Sequence, residues 1–473
     1  MPGRWWTFAY CSFMALFGRK TTDDETAPRP GAGSDGTRTG TAADSAAAGG
    51  TGATAAALQH PDEPRSRKPV RRSLDEQRSF LLDKVGAMRP FGMQIWDVPG
   101  LVLCEDIVSD LDLPLVTTAR IAGWGVRGSD LVGAKRTAPK RLYVVDRISA
   151  SDGPGRPLVS GAAVELEEGA IIPEGVDAVV PAALGSLADD GYVEIREEAR
   201  LYQNLRRAGS ELADGTPLLR SGDVLTPRSV AVLAEVGLDK VLVRPRPRVV
   251  VLTVGETLVA PGQPLTKPQQ RYDAATALIT AAARGDGATV YPLGIVPADV
   301  SKVKQAVADQ QIRADLIVVV GGGEVVREAI DGLDEAVVAI NREARIAYAG
   351  LGENETPLVI LPGGVVSAYV AYHALVRPVI NKLNDVDPLR AERVEGRLAE
   401  ALKAPAGATQ FVPAVREENG TVRVVAGADS ELAWDLARAN VLVVIPESWD
   451  GAQAGSTVEC IVLDDAHPAA SLP

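Results

Sequence analysis

The sequence predicts a multidomain α/β protein whose central domain is a three-layer α/β fold with a largely parallel sheet. Two observations carry this prediction. Strand-like and helix-like segments alternate through residues 246–386, which is the pattern of right-handed βαβ units whose sheet is covered on both faces. Within that region, Leu316–Val320 is an unbroken apolar run that ends at three glycines, as expected for a central strand buried on both faces.

The elements predicted for residues 246–386 have lengths that suit this fold. Runs rich in β-branched residues predict strands at Arg248–Thr253, Thr289–Val296, Leu316–Val320, Ala336–Ile340 and Leu358–Leu361. Helical spacing of apolar residues predicts helices at Ala274–Arg284, Val300–Gln310 and Ser367–Leu383. Because ligands of open α/β sheets bind at the carboxyl ends of the strands, the site is expected at that edge.

A helical linking segment is predicted in two parts, residues 73–115 and 201–245. Its first helix begins with a capping box, in which Ser73 is the N-cap residue and the side chain of Glu76 reaches back. Leu101–Val108 is predicted to be a strand of this segment, and Ser229–Val236 a helix.

Two small β-domains complete the predicted body. Short strands separated by turn residues predict an inserted β-domain at residues 116–200. A second one is predicted at residues 387–464, with a short helix at Ser430–Asn440.

Residues 1–72 are predicted to be a disordered tail. Residues 18–57 contain no Val, Leu, Ile, Met or aromatic residue, so this segment cannot bury enough apolar surface to offset its ordering entropy. The apolar run Trp5–Phe17 is too short to span a bilayer, and no clear cleavage site follows it. We therefore expect a cytoplasmic protein without membrane contact. Whether translation begins at Met1 or at Met14 stays open.

Composition and motifs exclude several classes of function. The net charge of −13 argues against a general nucleic-acid binder. The three cysteines are scattered and odd in number, and the three histidines do not cluster, so neither a disulfide framework nor a zinc site is predicted. The sequence has no Walker A motif, no G-x-G-x-x-G after a strand and no G-x-S-x-G, which argues against nucleotide hydrolases, dinucleotide dehydrogenases and serine hydrolases.

Glycine-marked turns are predicted to meet at the carboxyl edge of the sheet. The candidate ligand-binding residues lie in the turns after two strands: Gly321, Gly322, Gly323, Pro362, Gly363 and Gly364. Exposed backbone N–H groups in such turns bind phosphate or carboxylate. A single glycine could serve only to turn a loop, whereas several such turns at one edge favour a ligand crevice.

Carboxylates near these turns are the candidate catalytic and metal-binding groups. Asp273 and Glu256 are the predicted catalytic residues. Together with Glu324 they form the predicted Mg²⁺ site, since carboxylates beside a phosphate are the usual ligands of that ion.

Several motifs taken together resemble the MoeA/gephyrin E-domain family, the molybdopterin molybdotransferases. The resemblance runs from about Ser73 to Asp464 and is carried by Pro173–Val180, Asn204–Gly209, Pro261–Leu265, Tyr272–Asp273 and Leu436–Asn440. It implies that the central domain is of the molybdopterin-binding type and that the protein is a homodimer with its cleft between subunits. It also implies transfer of molybdenum from molybdate into adenylylated molybdopterin, with Mg²⁺ and release of AMP. Gephyrin implies a second use of the fold, as a scaffold that binds a protein partner near the C-terminal domain.

The sequence departs from the family pattern where the chemistry is expected. Ala122 stands in place of a buried aspartate, and Gly321–Arg327 lacks the serine of the family's glycine loop. The family's lysine-rich loop is replaced by Ala349–Glu355, which has two glutamates and no lysine. A charge-assisted phosphate contact contributes about 1.5–3 kcal/mol, so losing two lysines would weaken anion binding substantially.

These departures favour one hypothesis over two others. The favoured one is a catalytically eroded, dimeric, gephyrin-like scaffold for a protein partner. The alternative is an active molybdopterin molybdotransferase with a divergent site, and the third is an unrelated enzyme that uses the same cleft.

Overall fold

The computed structural model describes residues 69–341, 343–389, 391–426 and 430–463. It confirms the predicted fold class of a multidomain α/β protein with a central three-layer domain and two small β-domains. The apolar run at Trp5–Phe17, and with it the choice between Met1 and Met14, lies outside the described residues. No helix among the described residues is long and apolar enough to cross a membrane.

Residues 70–72, which are predicted to belong to the tail, form a strand. The first strand pairs in parallel with the edge of the central sheet, through Val70 opposite Ala336, so the predicted tail boundary at residue 72 is wrong for its last residues. A run of only three residues carries no periodic signal, and its partner is more than 260 positions away. This strand is β1 (Val70–Arg72). The elements that follow it in the first part of the linking segment are α1 (Leu74–Asp83), β2 (Phe91–Gln94) and β3 (Ile107–Val108).

Helix α1 has the predicted capping box. The Ser73 hydroxyl accepts from the Glu76 backbone N–H, and the Glu76 carboxylate accepts from the Ser73 backbone N–H. The predicted strand at Leu101–Val108 is wrong over most of its length. Val102 and Leu103 form isolated bridges to two different segments, so only Ile107–Val108 is a strand.

The inserted β-domain is a six-stranded sheet in the order β8-β5-β7-β6-β10-β9. This part of the chain has two 3₁₀ turns, at Gly128–Leu131 and Ala182–Leu184. Its strands are β4 (Thr118–Ala119), β5 (Gly123–Val126), β6 (Lys140–Ile148), β7 (Ala162–Leu166), β8 (Ala178–Pro181), β9 (Gly185–Leu187) and β10 (Tyr192–Ile195). β4 lies outside that sheet and pairs in antiparallel fashion with Leu205–Arg206, the first strand in the second part of the linking segment. The second part of the linking segment comprises β11 (Leu205–Arg206), β12 (Pro217–Leu219), α2 (Pro227–Glu235) and β13 (Lys240–Val243).

The central domain continues the alternation that the sequence predicts. Its elements are β14 (Arg248–Val254), β15 (Leu258–Val259), β16 (Arg271–Tyr272), α3 (Ala274–Gly285), β17 (Thr289–Val296), α4 (Val300–Gln311), β18 (Leu316–Gly321), α5 (Gly323–Ala329), β19 (Asp334–Val338), β20 (Ala344–Leu351), β21 (Thr356–Leu361), α6 (Val365–Ala371) and α7 (Arg377–Leu383). A π-helical turn at Tyr372–Val376 joins α6 to α7, where a single helix is predicted. α5 and β20 are not predicted from the sequence.

The seven-stranded sheet has the order β1-β19-β20-β21-β18-β14-β17. All neighbouring pairs are parallel except the two made by β20, so β20 alone runs in the reverse direction. Side chains of β18 alternate between two cores: Val318 packs with α1, α3, α6 and α7 on one face, and Val319 with α4 and α5 on the other. This burial on both faces accounts for the unbroken apolar run of the strand.

The C-terminal domain is a closed barrel of five strands in the order β22-β25-β24-β26-β28. The elements of this part of the chain are β22 (Arg393–Leu398), β23 (Leu402–Lys403), β24 (Gln410–Arg416), β25 (Thr421–Val424), α8 (Ala433–Ala437), β26 (Val441–Ile445), β27 (Gly451–Ala452) and β28 (Thr457–Val462). Phe411 and Leu442 of the barrel join the core that contains α6 and α7, so the barrel packs on that helical layer.

Candidate functional site

Two glycine loops meet at the carboxyl edge of the central sheet, as the sequence predicts. β18 and β21 are parallel neighbours, so their carboxyl ends lie side by side. A Cβ added at Gly321 would lie 3.4 Å from the Cα atom of Gly363, and one added at Gly363 would lie 3.4 Å from the Cα atom of Gly321. The loops after these two strands are therefore in backbone contact.

The loop after β18 requires glycine at its centre. Gly321, Gly322 and Gly323 all have positive φ angles, of 77°, 80° and 47°. At Gly322 a Cβ atom would also lie 2.2 Å from Cγ2 of Val326 and 2.8 Å from Cβ of Val254. The left-handed backbone and the close approach of these two valines explain the run of three glycines.

A cavity of about 140 Å³ lies against both loops. Gly321, Gly323, Pro362 and Gly363 contribute to its wall, and the charged residues that line it are Arg327, Glu335 and Arg345. A neighbouring cavity of about 150 Å³ shares Arg345 and Pro362 with the first. The glycine loops thus border a pocket with guanidinium groups, a combination suited to an oxoanion.

These two arginines are not among the site residues predicted from the sequence. Arg327 follows the glycine loop in α5, and Arg345 lies in β20, which is not predicted as a strand. The short apolar run Ile346–Ala349, all four residues of which are buried, is the signal that could have indicated this strand.

The acidic segment that replaces the family's lysine-rich loop lies at the other edge of the sheet. Glu353 and Glu355 belong to the turn between β20 and β21, and Leu351 pairs with Thr356 at the amino end of β21. The glycine loops follow the carboxyl end of β21. Within one chain, the two glutamates therefore do not face the glycine loops.

Asp273, a predicted catalytic and metal-binding residue, is the buried N-cap of α3. Its Oδ1 atom accepts a hydrogen bond from the Thr276 backbone N–H at 3.0 Å and one from the Thr253 hydroxyl at 3.3 Å. The hydroxyls of Thr253 and Thr276 are 2.6 Å apart, so the three side chains form a small buried polar cluster. The geometry accounts for Asp273 as a residue that starts a helix.

The predicted Mg²⁺ site is not assembled within the described chain. Glu324 is exposed and pairs with Arg327 of its own helix at 2.9 Å, whereas Glu256 lies in an exposed bend after β14. Asp273 uses Oδ1 for the helix cap. Among the described residues, no three acidic, histidine or cysteine side chains are grouped so that they could hold a metal ion.

The loop after β21 is occupied by a carboxylate from the C-terminal part of the chain. Glu431 Oε2 accepts from the backbone N–H groups of Val366 at 3.2 Å and Ser367 at 3.4 Å, and Glu431 Oε1 also accepts from the Ser367 hydroxyl. A Cβ added at Gly364 would lie 2.3 Å from Glu431 Oε2. Gly364, a predicted ligand-binding residue, thus makes room for an internal carboxylate.

A larger cavity of about 730 Å³ lies between α1, α7 and the C-terminal barrel. Its wall combines apolar residues such as Leu389 and Phe411 with charged ones such as Arg78 and Glu447. No sequence motif indicates this cavity, because its wall comes from three segments far apart in the chain.

Comparison with protein families agrees with this architecture. Residues 72–237 match the MoeA N-terminal region (domain I and II), residues 250–382 a probable molybdopterin-binding domain, and residues 395–463 the MoeA C-terminal region (domain IV). The fold and the glycine loops at the carboxyl edge thus define a protein of the molybdopterin-binding class.

Individual relatives extend over nearly the whole of this body. The chain is 32% identical over 406 residues to molybdopterin molybdenumtransferase 2 of Mycobacterium tuberculosis, covering 82% of this chain and 98% of that protein. It is 29% identical to the molybdopterin molybdenumtransferase of Haemophilus influenzae, with 82% and 97% covered. A crystal structure of a MoeA protein from Pyrococcus horikoshii superposes with a TM-score of 0.71 at 24% identity, over 83% of this chain and 99% of that one. The chain belongs to the MoeA family.

Proposed function

We propose that this protein is a molybdopterin molybdenumtransferase, which inserts molybdenum from molybdate into adenylylated molybdopterin and releases AMP. The observation that carries the proposal is the pocket in which two touching glycine loops meet Arg327 and Arg345. Relatives that bear this name align with 82% of the chain, and residues 250–382 match the family model of a probable molybdopterin-binding domain.

The hypothesis of a catalytically eroded scaffold is the less supported of the two. It depends on the loss of cations from the loop at Ala349–Glu355, and that loop turns at the amino edge of the sheet. Guanidinium groups are present at the carboxyl edge, beside the glycine loops. The replaced lysines are therefore weak grounds for loss of anion binding.

The test is transfer by the purified protein. We expect AMP release from adenylylated molybdopterin to depend on added molybdate, and we expect the gene to restore molybdoenzyme activity in cells that lack their own transferase. Failure of both, with a folded protein of normal melting temperature, would contradict the proposal. A solution mass of two chains is expected, since the family resemblance implies a homodimer, and sedimentation equilibrium measures it.

One observation favours a second candidate function, the binding of a protein partner near the C-terminal domain. The cavity of about 730 Å³ between α1, α7 and the barrel is large enough for side chains of a partner segment. Leu389 lines it and is 47% exposed.

The matched test replaces an exposed aliphatic side chain inside or outside this cavity. Leu389→Asp should abolish capture of a stoichiometric partner, whereas Ile312→Asp, at a 91% exposed position after α4, should leave it unchanged. Equal capture by both variants would contradict a partner site in this cavity.

A further inference from the structure

We propose that a cavity at the amino edge of the central sheet binds a small organic anion through its phosphate or carboxylate group. The cavity has a volume of about 630 Å³, which lies within the range of ligand pockets. Its wall comes from the linking segment, from the residues before β14 and β17, from α7 and from the start of the C-terminal domain. It shares no residue with the pocket beside the glycine loops, so this inference goes beyond the proposed function and does not depend on it.

Three arginines line the cavity. Arg244 and Arg246 lie in the connection between β13 and β14, and Arg377 is the first residue of α7. Residues 245 and 247 are prolines, which favour an extended backbone at each residue that precedes them. The connection therefore brings two guanidinium groups to one cavity, where α7 supplies a third.

Two of these arginines have an acidic partner within the chain. Arg377 Nε lies 2.8 Å from Asp286 Oδ1, and Arg244 Nε donates to Asp385 Oδ2 at 2.9 Å. Asp286 and Asn384 are the C-cap residues of α3 and α7, so the two arginines also offset the partial negative charge of these helix ends. Their charges are therefore accounted for by the fold.

Arg246 is the cation that remains for a ligand. It is exposed, and its Nη2 atom donates to the Pro99 carbonyl at 3.1 Å. Among the residues that the structure describes, Arg246 has no ion-pair partner, so most of its N–H donors are uncommitted. A planar guanidinium binds a phosphate or carboxylate group through two parallel hydrogen bonds, which is why both groups are named.

Two carboxylates line the same cavity and oppose this charge to different degrees. Asp286 is engaged, because it accepts from the Tyr372 hydroxyl at 2.6 Å and pairs with Arg377. Glu392 is exposed and has no ion-pair partner in the described part of the chain. The wall thus holds three cations and two anions. Because Glu392 repels an anion, its removal should strengthen anion binding.

The rest of the wall suits the body of an organic molecule. The volume of the cavity leaves room beyond a phosphate or carboxylate group. Apolar side chains and an amide group line this remaining space: Leu101, Val102, Val386 and Asn384. A ligand with a small, partly polar body therefore fits the cavity better than a bare inorganic ion.

The experiment measures the binding of inorganic phosphate and of succinate to the full chain by titration calorimetry, at an ionic strength held constant with chloride. Arg246→Gln should weaken the binding of at least one of the two by about 10- to 100-fold. Arg246→Lys should recover part of that loss, and Glu392→Gln should strengthen the binding of the same probe.

Arg313→Gln is the matched control. Arg313 is exposed just before β18, at the same edge of the sheet, and its guanidinium lies 5.3 Å from the centre of the Tyr291 ring. It does not line the cavity. The variant removes the same charge as Arg246→Gln and should change neither affinity.

A second background separates this cavity from the pocket at the carboxyl edge, where phosphate is also expected to bind. The titrations are repeated in Arg345→Gln, since Arg345 lines that pocket and not this cavity. Binding to the cavity should persist in Arg345→Gln and be weakened when Arg246→Gln is added. Binding that depends on Arg345 alone would overturn the proposal.

The remaining outcomes also bear on the assignment. Weaker binding of phosphate alone in Arg246→Gln supports a phosphorylated ligand, and weaker binding of succinate alone supports a carboxylated one. Unchanged affinities in Arg246→Gln, an equal loss in Arg313→Gln, or weaker binding in Glu392→Gln overturns the proposal. If Arg246→Gln does not fold, the gain expected in Glu392→Gln decides.

Discussion

The carboxylate of Glu431 caps the amino end of α6 by accepting hydrogen bonds from both the backbone N–H and the hydroxyl of Ser367. The two residues are 64 positions apart and join the segment before α8 to the loop after β21. A remote glutamate thus replaces the local N-cap side chain that most helices use.

We predict that Glu431→Ala destabilises the protein by about 1 kcal/mol, because the first N–H groups of α6 lose their acceptor. Glu431→Gln keeps a carbonyl oxygen and should lose less. Gly364→Ala should also destabilise, since its Cβ would meet Glu431 Oε2 at 2.3 Å. In the Glu431→Ala background that cost should largely disappear. Urea unfolding of the four-variant cycle measures this coupling, and strictly additive losses would contradict the contact.

The centre of the first glycine loop offers a second prediction. Gly322→Ala should cost more than Gly332→Ala, although both residues have φ near +75° to +80°. Open space surrounds the position of a Cβ at Gly332, so its loss should be limited to the backbone penalty of about 1–2 kcal/mol. Gly322→Ala adds a clash with Val254 and Val326. Melting temperatures of the two variants measure the difference. Equal values would show that Val254 and Val326 move aside for the added methyl group without a cost in stability.

Asp273 allows the helix cap to be separated from catalysis. Asp273→Ala should lose about 1–2 kcal/mol of stability, because the Thr276 N–H and the Thr253 hydroxyl lose their shared acceptor. Asp273→Asn keeps an acceptor oxygen and should remain within about 0.5 kcal/mol of the wild type. If both variants are equally unstable, the capping assignment is wrong. Loss of transfer in a stable Asp273→Asn variant would assign a chemical role to the carboxylate.

The buried His373 is expected to make the stability of the protein fall at acidic pH. Burial, and to a lesser degree the charge of Arg377, lower its pKa to about 3 in the folded protein, against about 6.5 in the unfolded chain. The unfolded state therefore binds a proton first as the pH falls below 6.5, and stability falls by at most about 1.4 kcal/mol per pH unit from this residue. Above pH 6.5 the histidine is neutral in both states and contributes no pH dependence.

His373→Phe keeps a ring against Tyr369 and Tyr372, whose rings lie 4.4 and 5.6 Å from that of His373. We expect this variant to have a shallower decline in unfolding free energy between pH 6.5 and 4 than the wild type. Denaturant titrations at three pH values compare the slopes, and parallel profiles would mean that His373 titrates normally.

Several parts of this protein could be predicted from local patterns of residues. The capping box of α1, the apolar run of β18 and the glycines that follow it are encoded within a few residues of one another, since backbone conformation and burial on both faces leave a short-range signal. The family resemblance likewise rests on short motifs, such as Pro173–Val180 and Asn204–Gly209.

Which charged groups share a site could not be predicted in this way, because it depends on how remote segments pack together. β20 runs in reverse, which places Arg345 beside the glycine loops and the turn containing Glu353 at the opposite edge. Glu431 accepts hydrogen bonds at the amino end of α6, and Asp273 accepts one as the N-cap of α3. Among the described residues, the predicted Mg²⁺ ligands are not grouped into a site. Strand direction and contacts between remote segments arise from the packing of the whole chain, so the local spacing of residues in the sequence does not predict them.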